Sequence, residues 1–138
     1  MVEATLRTHR LHDLSHFGLR IVVGVLLIVH SMPKFDGGAA GLVSSIGLPD
    51  EMGLLIGILE LVGGVLLIAG ILTRISSSIL AIEMLSIMVY LKKLQSFSGK
   101  NGIELDLLVF VILLTLIVLG PGRISVAHLI KKFPRFLQ

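Results

Sequence analysis

Four apolar segments, each with an ionisable residue set into or against it, constrain this chain more than any other feature. They run over about 17–33, 53–73, 75–91 and 103–122. Each is near the ~20 helical residues that cross a ~30 Å hydrocarbon core, within a usual range of about 17–25. None reaches that length uncharged. The uncharged runs are Ile21–Pro33, Leu61–Thr73, Ile75–Ile82, Met84–Leu91 and Leu107–Gly122. Spanning helices must therefore take in Arg20, Glu60, Glu83 and, near one end, Asp106. The second segment holds 13 Leu, Ile or Val residues, worth about −4 to −8 kcal/mol of insertion free energy against about +3 for one central acid. It inserts alone. The third has fewer such residues plus Glu83 and four serines, so it is expected to insert paired with the second.

Composition agrees. The 138 residues are 54% hydrophobic and 15% charged, with mean hydropathy +0.99. A soluble domain of this size could not hide so much apolar surface. The expected fold is an all-α integral membrane four-helix bundle, one domain over 1–138. With no cysteine, disulfides, thiolate ligands, covalent haem c and iron–sulfur clusters are excluded. The net charge of +3 comes with one Tyr, no Trp and no long basic run, so nucleic acid is not the expected partner. Arg7 and Arg10 precede an apolar stretch, as in a secretory signal, but no small-x-small cleavage site follows, and the helix is read as retained. Arg7, Arg10, Arg20, Arg74, Arg123, Lys131, Lys132 and Arg135 would share one side, against Lys34, Lys92, Lys93 and Lys100 on the other. That imbalance favours termini on the cytoplasmic side, in a multi-pass protein of the plasma membrane. Between the first two helices, 39–46 is expected to form a short interfacial helix or lid. The tail, 125–138, has the composition of an amphipathic segment on an anionic leaflet, with a solvated tail as the alternative.

Helical periodicity places the polar residues. Gly53, Gly57, Glu60 and Gly64 fall within a ~60° stripe at about 100° per residue. Glycine stripes in membrane helices admit a neighbouring backbone, so Glu60 should face protein and not lipid. Ser76, Glu83, Ser86 and Tyr90 form a second stripe, of ~80°. Arg20, Gly24, Leu27, Ser31 and Lys34 share a face of the first helix, with His30 at its margin. Asp106 and Glu104 project apart, and Asp106 is expected to face the bundle. At 1.5 Å per residue, Glu60 lies about 10 Å and His30 about 5 Å inside the outer boundary, with Glu83 near mid-membrane. The outer half thus gathers His30, Lys34, Glu60, Tyr90, Lys92 and Asp106. Arg20, Arg74 and Arg123 line the inner boundary, where long stems can snorkel as anchors. An acid inside a bilayer is by default a functional residue; a buried Glu–Lys or Glu–Arg pair that locks packing is the alternative. With one histidine in a span, two-ligand haem is not expected. No metal site is expected either, because His30, Glu60 and Asp106 come from three helices without ligand spacing.

Several motifs, taken in order, resemble the DoxX family. His30-Ser-Met-Pro-Lys34 closes the first helix and Gly47-Leu-Pro49 follows it. The stretch Gly57-Ile-Leu-Glu60-Leu-Val-Gly63-Gly64, running on to Gly70-Ile-Leu-Thr73-Arg74, is similar to the family's second helix. Gly120-Pro121-Gly122-Arg123 and Ser125 are similar to its ending, although Ala127 stands where an acid belongs. The resemblance covers about 20–125. It implies a four-helix membrane protein related to the membrane subunit of an archaeal thiosulfate:quinone oxidoreductase.

The resemblance further implies a noncovalent quinone at the polar outer cluster. Quinone reduction needs hydrogen-bond donors for two carbonyls and a source of protons. Glu60 and Glu83 would be the catalytic residues, with Glu60 relaying protons. His30, Lys34, Tyr90 and Asp106 would bind the substrate. No motif for flavin, nicotinamide, haem c or iron–sulfur is present, so such a protein would be a subunit of an oxidoreductase and not a complete enzyme. Its expected partners are membrane lipids and other membrane or membrane-associated subunits, or a second copy of the chain. A non-catalytic scaffold or accessory subunit of a larger membrane complex is the alternative, motivated by the glycine stripe and minimal loops; a small transporter or proton pathway ranks third.

Overall fold

The computed structural model of the protein describes residues 10–99 and 102–126. Among these, every regular element is helical: α1 (Arg10–Phe35), α2 (Ala40–Ser44), α3 (Glu51–Ala69), α4 (Thr73–Ser86, continued by a π turn over Ile87–Leu91) and α5 (Glu104–Leu119). The four long helices form a bundle, in which α1 lies against α3 and α4 against α5, while α3 meets α4 across the middle. Three of them, over Leu11–Phe35, Glu51–Ala69 and Thr73–Leu91, are long and apolar enough to cross a membrane. At 16 residues, α5 rises only about 24 Å. It stops short of the segment read from sequence because Gly120, at φ 74°, ends it. The tail beyond Val126, four of the eight Lys and Arg residues counted for the terminal side (Arg7, Lys131, Lys132 and Arg135), and Lys100 lie outside the described residues.

Distribution of polarity is the reverse of a soluble bundle. Val118 is 75% exposed and Ile82 67%, whereas Glu60 is 1% exposed and Arg20 fully buried. Apolar side chains cover the outside, as lipid requires, and the inside is mixed. A core of Val23, Leu27, Leu67, Leu80, Met84, Leu113 and Leu116 fills the middle of the bundle. Hydrocarbon supplies no hydrophobic drive between helices, so close packing and polar contacts must hold them together.

Helices α1 and α3 approach each other at two glycines. A Cβ on Gly24 would lie 2.7 Å from the Gly64 carbonyl oxygen, and one on Gly64 would lie 2.7 Å from that of Gly24. Helices α1 and α3 therefore cross backbone to backbone. At the end of α3, Gly70 turns left-handed (φ 69°), and both its N–H and that of Ile71 donate to the Leu66 carbonyl. This glycine cap closes the helix and sends the chain back within three residues. Pro33 sits in the last turn of α1, and the helix runs on to Phe35 before turning; the Gly38 N–H then donates to the Pro33 carbonyl at 2.9 Å.

Candidate functional site

The glycine stripe of α3 faces α1 and α2 within the same chain. At its start, a Cβ on Gly53 would meet Ala39 at 2.9 Å, so Gly53 seats the entry to α2. One turn on, a Cβ on Gly57 would meet the Lys34 Cβ at 3.0 Å. That gap lets the lysine stem lie along α3 and reach Glu60, one turn further. Lys34 Nζ and Glu60 Oε1 form an ion pair, with side chains 16% and 1% exposed. The other oxygen, Glu60 Oε2, is buried without a hydrogen-bond partner.

A second pair closes the same end of the bundle. Lys92 Nζ lies 2.5 Å from Asp106 Oδ2 and donates to the Gly102 carbonyl at 2.9 Å. Asp106 is the acid of α5 that turns inward, and Glu104 is exposed. Glu60 is within electrostatic reach of Asp106 and His30 as well as Lys34. All these groups line one cavity of about 400 Å³, shared by His30, Lys34, Glu60, Lys92, Glu104 and Asp106, with Leu27, Met84, Ile87 and Val109 as its apolar floor. Val43 of α2 roofs it. His30 sits at the rim and its Nδ1 lies 3.0 Å from the Leu26 carbonyl. A carbonyl only accepts, so Nδ1 is the donor in this contact.

Glu83 and Tyr90 are not part of this arrangement. The buried face of α4 is centred on Thr73, Ser77, Leu80 and Met84. The stripe from Ser76 to Tyr90 runs along that face's margin and leaves it: Glu83 is 8% exposed, whereas Ser86 is exposed and Tyr90 is 66% exposed. Both lie on a separate, largely apolar cavity. Glu83 still senses Glu60 and Lys34 electrostatically, but neither of its oxygens has a hydrogen-bond partner. Sequence periodicity missed this division because it fixes angles along one helix and not which neighbour fills them.

The opposite end carries a correction. Arg20 does not snorkel: it is fully buried, its Nη2 donates to the Ile124 carbonyl, and its guanidinium lies 5.7 Å from the Phe17 ring centre. Gly70 makes the room, since any side chain there would run into the guanidinium. Among the described residues no group of three or more His, Asp and Glu side chains is arranged to hold a metal ion.

The family model for DoxX matches residues 16–93, more than half of the chain. The chain belongs to the DoxX family. A Bacillus subtilis protein described as "Putative oxidoreductase CatD" is 35% identical over 92 residues, which cover 65% of this chain and 69% of the relative. A Haemophilus influenzae protein described as uncharacterized is 36% identical over 109 residues, covering 75% and 81%. No solved structure matches. The DoxX match contains Lys34, Glu60, Glu83 and Lys92 but stops before Asp106, so the acid of the second pair lies beyond it.

Proposed function

We propose that this DoxX protein is a multi-pass plasma-membrane component of a quinone-linked oxidoreductase, and that the quinone ring binds in the cavity at the loop end of the bundle. The observation that carries this reading is the Lys34–Glu60 pair: a buried charge pair, with one carboxylate oxygen unpartnered, opening on a cavity large enough for a ring. Natural ligand sites fall in the range of about 300–1,000 Å³ and combine apolar walls with a few polar groups. Lys34 and Lys92 supply N–H donors toward the two carbonyls of a quinone. Glu60, held by Lys34, would pass protons to a reduced ring. Reduction to the hydroquinone takes two electrons and two protons; the electrons would come from a flavin or metal centre on a partner subunit. The description of CatD as an oxidoreductase supports the same class of chemistry.

The test is quinone content. Protein purified from native membranes should carry extractable quinone, and Glu60→Gln and Lys34→Ala should each lower it about tenfold, a loss of about 1.4 kcal/mol of binding. Quinone content unchanged in both variants would overturn the reading.

A further inference from the structure

The cavity that holds Glu83 borders the site just described. It measures about 560 Å³, lies between α2, α3 and α4, and is walled by aliphatic side chains apart from Glu83, Ser86 and Tyr90. Ile82 and Tyr90 at its mouth are both about two-thirds exposed on the lipid-facing surface. Four side chains line both cavities: Val43, Ile56, Ile87 and Leu91. Among the described residues they form the shared partition. Ile87 and Leu91 belong to the π turn, where the Lys92 N–H bonds back five residues to the Ile87 carbonyl. Val43 belongs to the five-residue α2, whose entry at Ala39 lies against Gly53 of α3.

Polarity divides cleanly across this partition. On one side stand three cation-forming groups and three acids; on the other, a lipid-facing trough with one buried carboxyl. A buried polar group without a partner requires an explanation, and Glu83, more than nine-tenths buried on a wall that is aliphatic apart from it, Ser86 and Tyr90, has two unpartnered oxygens. A quinone carbonyl passing that point would accept a hydrogen bond from the O–H of a protonated Glu83 carboxyl. One molecule with a polar ring and a long apolar tail fits both compartments at once.

Resting on the quinone reading, we propose that this groove is the membrane-side entrance of the loop-end cavity: a long-tailed quinone enters ring-first past Glu83, and its isoprenoid tail remains in the groove once the ring lies beside Lys34. The partition of four aliphatic side chains must part for the ring and then close around the tail. Glu83 acts as a hydrogen-bonding stop on the way in, not as the final seat of the ring.

Two variants in lipid nanodiscs test this. Ile82→Trp narrows the groove mouth, and Ile58→Trp adds the same bulk on a lipid-facing position of α3 that lines neither cavity. Binding is measured by calorimetric titration with a quinone bearing several isoprenoid units and with the same ring lacking its tail. The expected result is that Ile82→Trp weakens the tailed quinone at least tenfold and leaves the tailless ring unchanged, while Ile58→Trp alters neither. Glu83→Leu should slow association of the tailed quinone at least threefold. If Ile82→Trp binds the tailed quinone normally, the tail lies elsewhere and the entrance is overturned. Loss of both ligands in Ile82→Trp, with Ile58→Trp intact, would overturn it as well, because the groove would then shape the ring site itself. Failure of the unaltered protein to bind either ligand would instead defeat the quinone reading, and the entrance with it.

Discussion

At the loop end of the bundle Lys34 and Lys92 each meet a carboxylate across a helix interface. At the end where α1 begins, Arg20 is buried more deeply than either, and the hydrogen bond described for it goes to a backbone carbonyl. Among the described residues, His16, Thr73, Arg74 and Ser77 also hold buried polar atoms without partners. Both cations are seated by glycine, Lys34 by Gly57 and Arg20 by Gly70. The ends differ in what lies beyond the seat. Lys34 opens on a cavity; Arg20 is packed against protein and lines none of the cavities described here. Burial of charge therefore does not by itself mark a site. Pairing beside open space does, whereas a cation pressed onto the backbone ties the chain together.

The largest expected effect breaks the better-paired end. Removing one member of a buried ion pair strands the other, at a cost of about 3–5 kcal/mol, whereas replacing both by apolar residues is often close to neutral. Lys34→Met should lower stability by that order, and Lys34→Met with Glu60→Leu should recover most of it, measured as thermal unfolding in detergent micelles. Arg20→Met removes a charge that has no carboxylate partner among the described residues, so its loss should stay near ~2 kcal/mol, the worth of one hydrogen bond from a charged group. If Arg20→Met costs as much as Lys34→Met, the distinction between the two ends fails.

Much of the loop end was legible in the chain itself. The Gly53–Gly57–Glu60–Gly64 stripe turns Glu60 toward protein, and the structure places α1 and α2 there. That Asp106, and not Glu104, faces inward also follows from helical angles and agrees with their burial. What periodicity omits is the identity of the neighbour. Gly24 reads as one residue on a face, yet it meets the Gly64 backbone, and nothing local signals that crossing. Tyr90 and Glu83 share a stripe with Ser76, but the stripe follows the edge of the buried face and exits into the lipid-facing groove. Arg20 looked like an anchor because it sits at a span's end; its burial depends on the space over Gly70 and on the Ile124 carbonyl, which is 104 positions away. The glycine stripe, which suggested a surface for a partner subunit, is filled by the chain's own helices.

A second effect sharpens the comparison at the terminal end. Gly70 combines a left-handed backbone with contact against the Arg20 guanidinium. Gly70→Ala must accommodate both a strained φ and a methyl group in filled space, an overpacking cost of about 1–3 kcal/mol. Displacing Arg20 also releases the carbonyl of Ile124, so proteolysis between Pro121 and Val126 should quicken. In an Arg20→Met background the penalty of Gly70→Ala should shrink by about half, a coupling that a double-mutant cycle reads directly. Full additivity would mean that the glycine serves the turn alone.

The smallest effect separates the two ion pairs from each other. The Lys92 side chain is 25% exposed and that of Asp106 10%, against 16% and 1% for Lys34 and Glu60. Lys92 also keeps the Gly102 carbonyl as a second acceptor, so part of its hydrogen bonding survives loss of the acid. Solvent reaching such a pair reduces its worth toward the ~1 kcal/mol of exposed bridges. Asp106→Asn should therefore cost about 1 kcal/mol in thermal unfolding, well below Lys34→Met, and added salt should narrow even that difference. The Lys34–Glu60 pair, shielded from the same salt, should hold its value. Equal salt sensitivity at both pairs would show that water reaches Glu60 as freely as Asp106, and would remove the distinction between the two pairs.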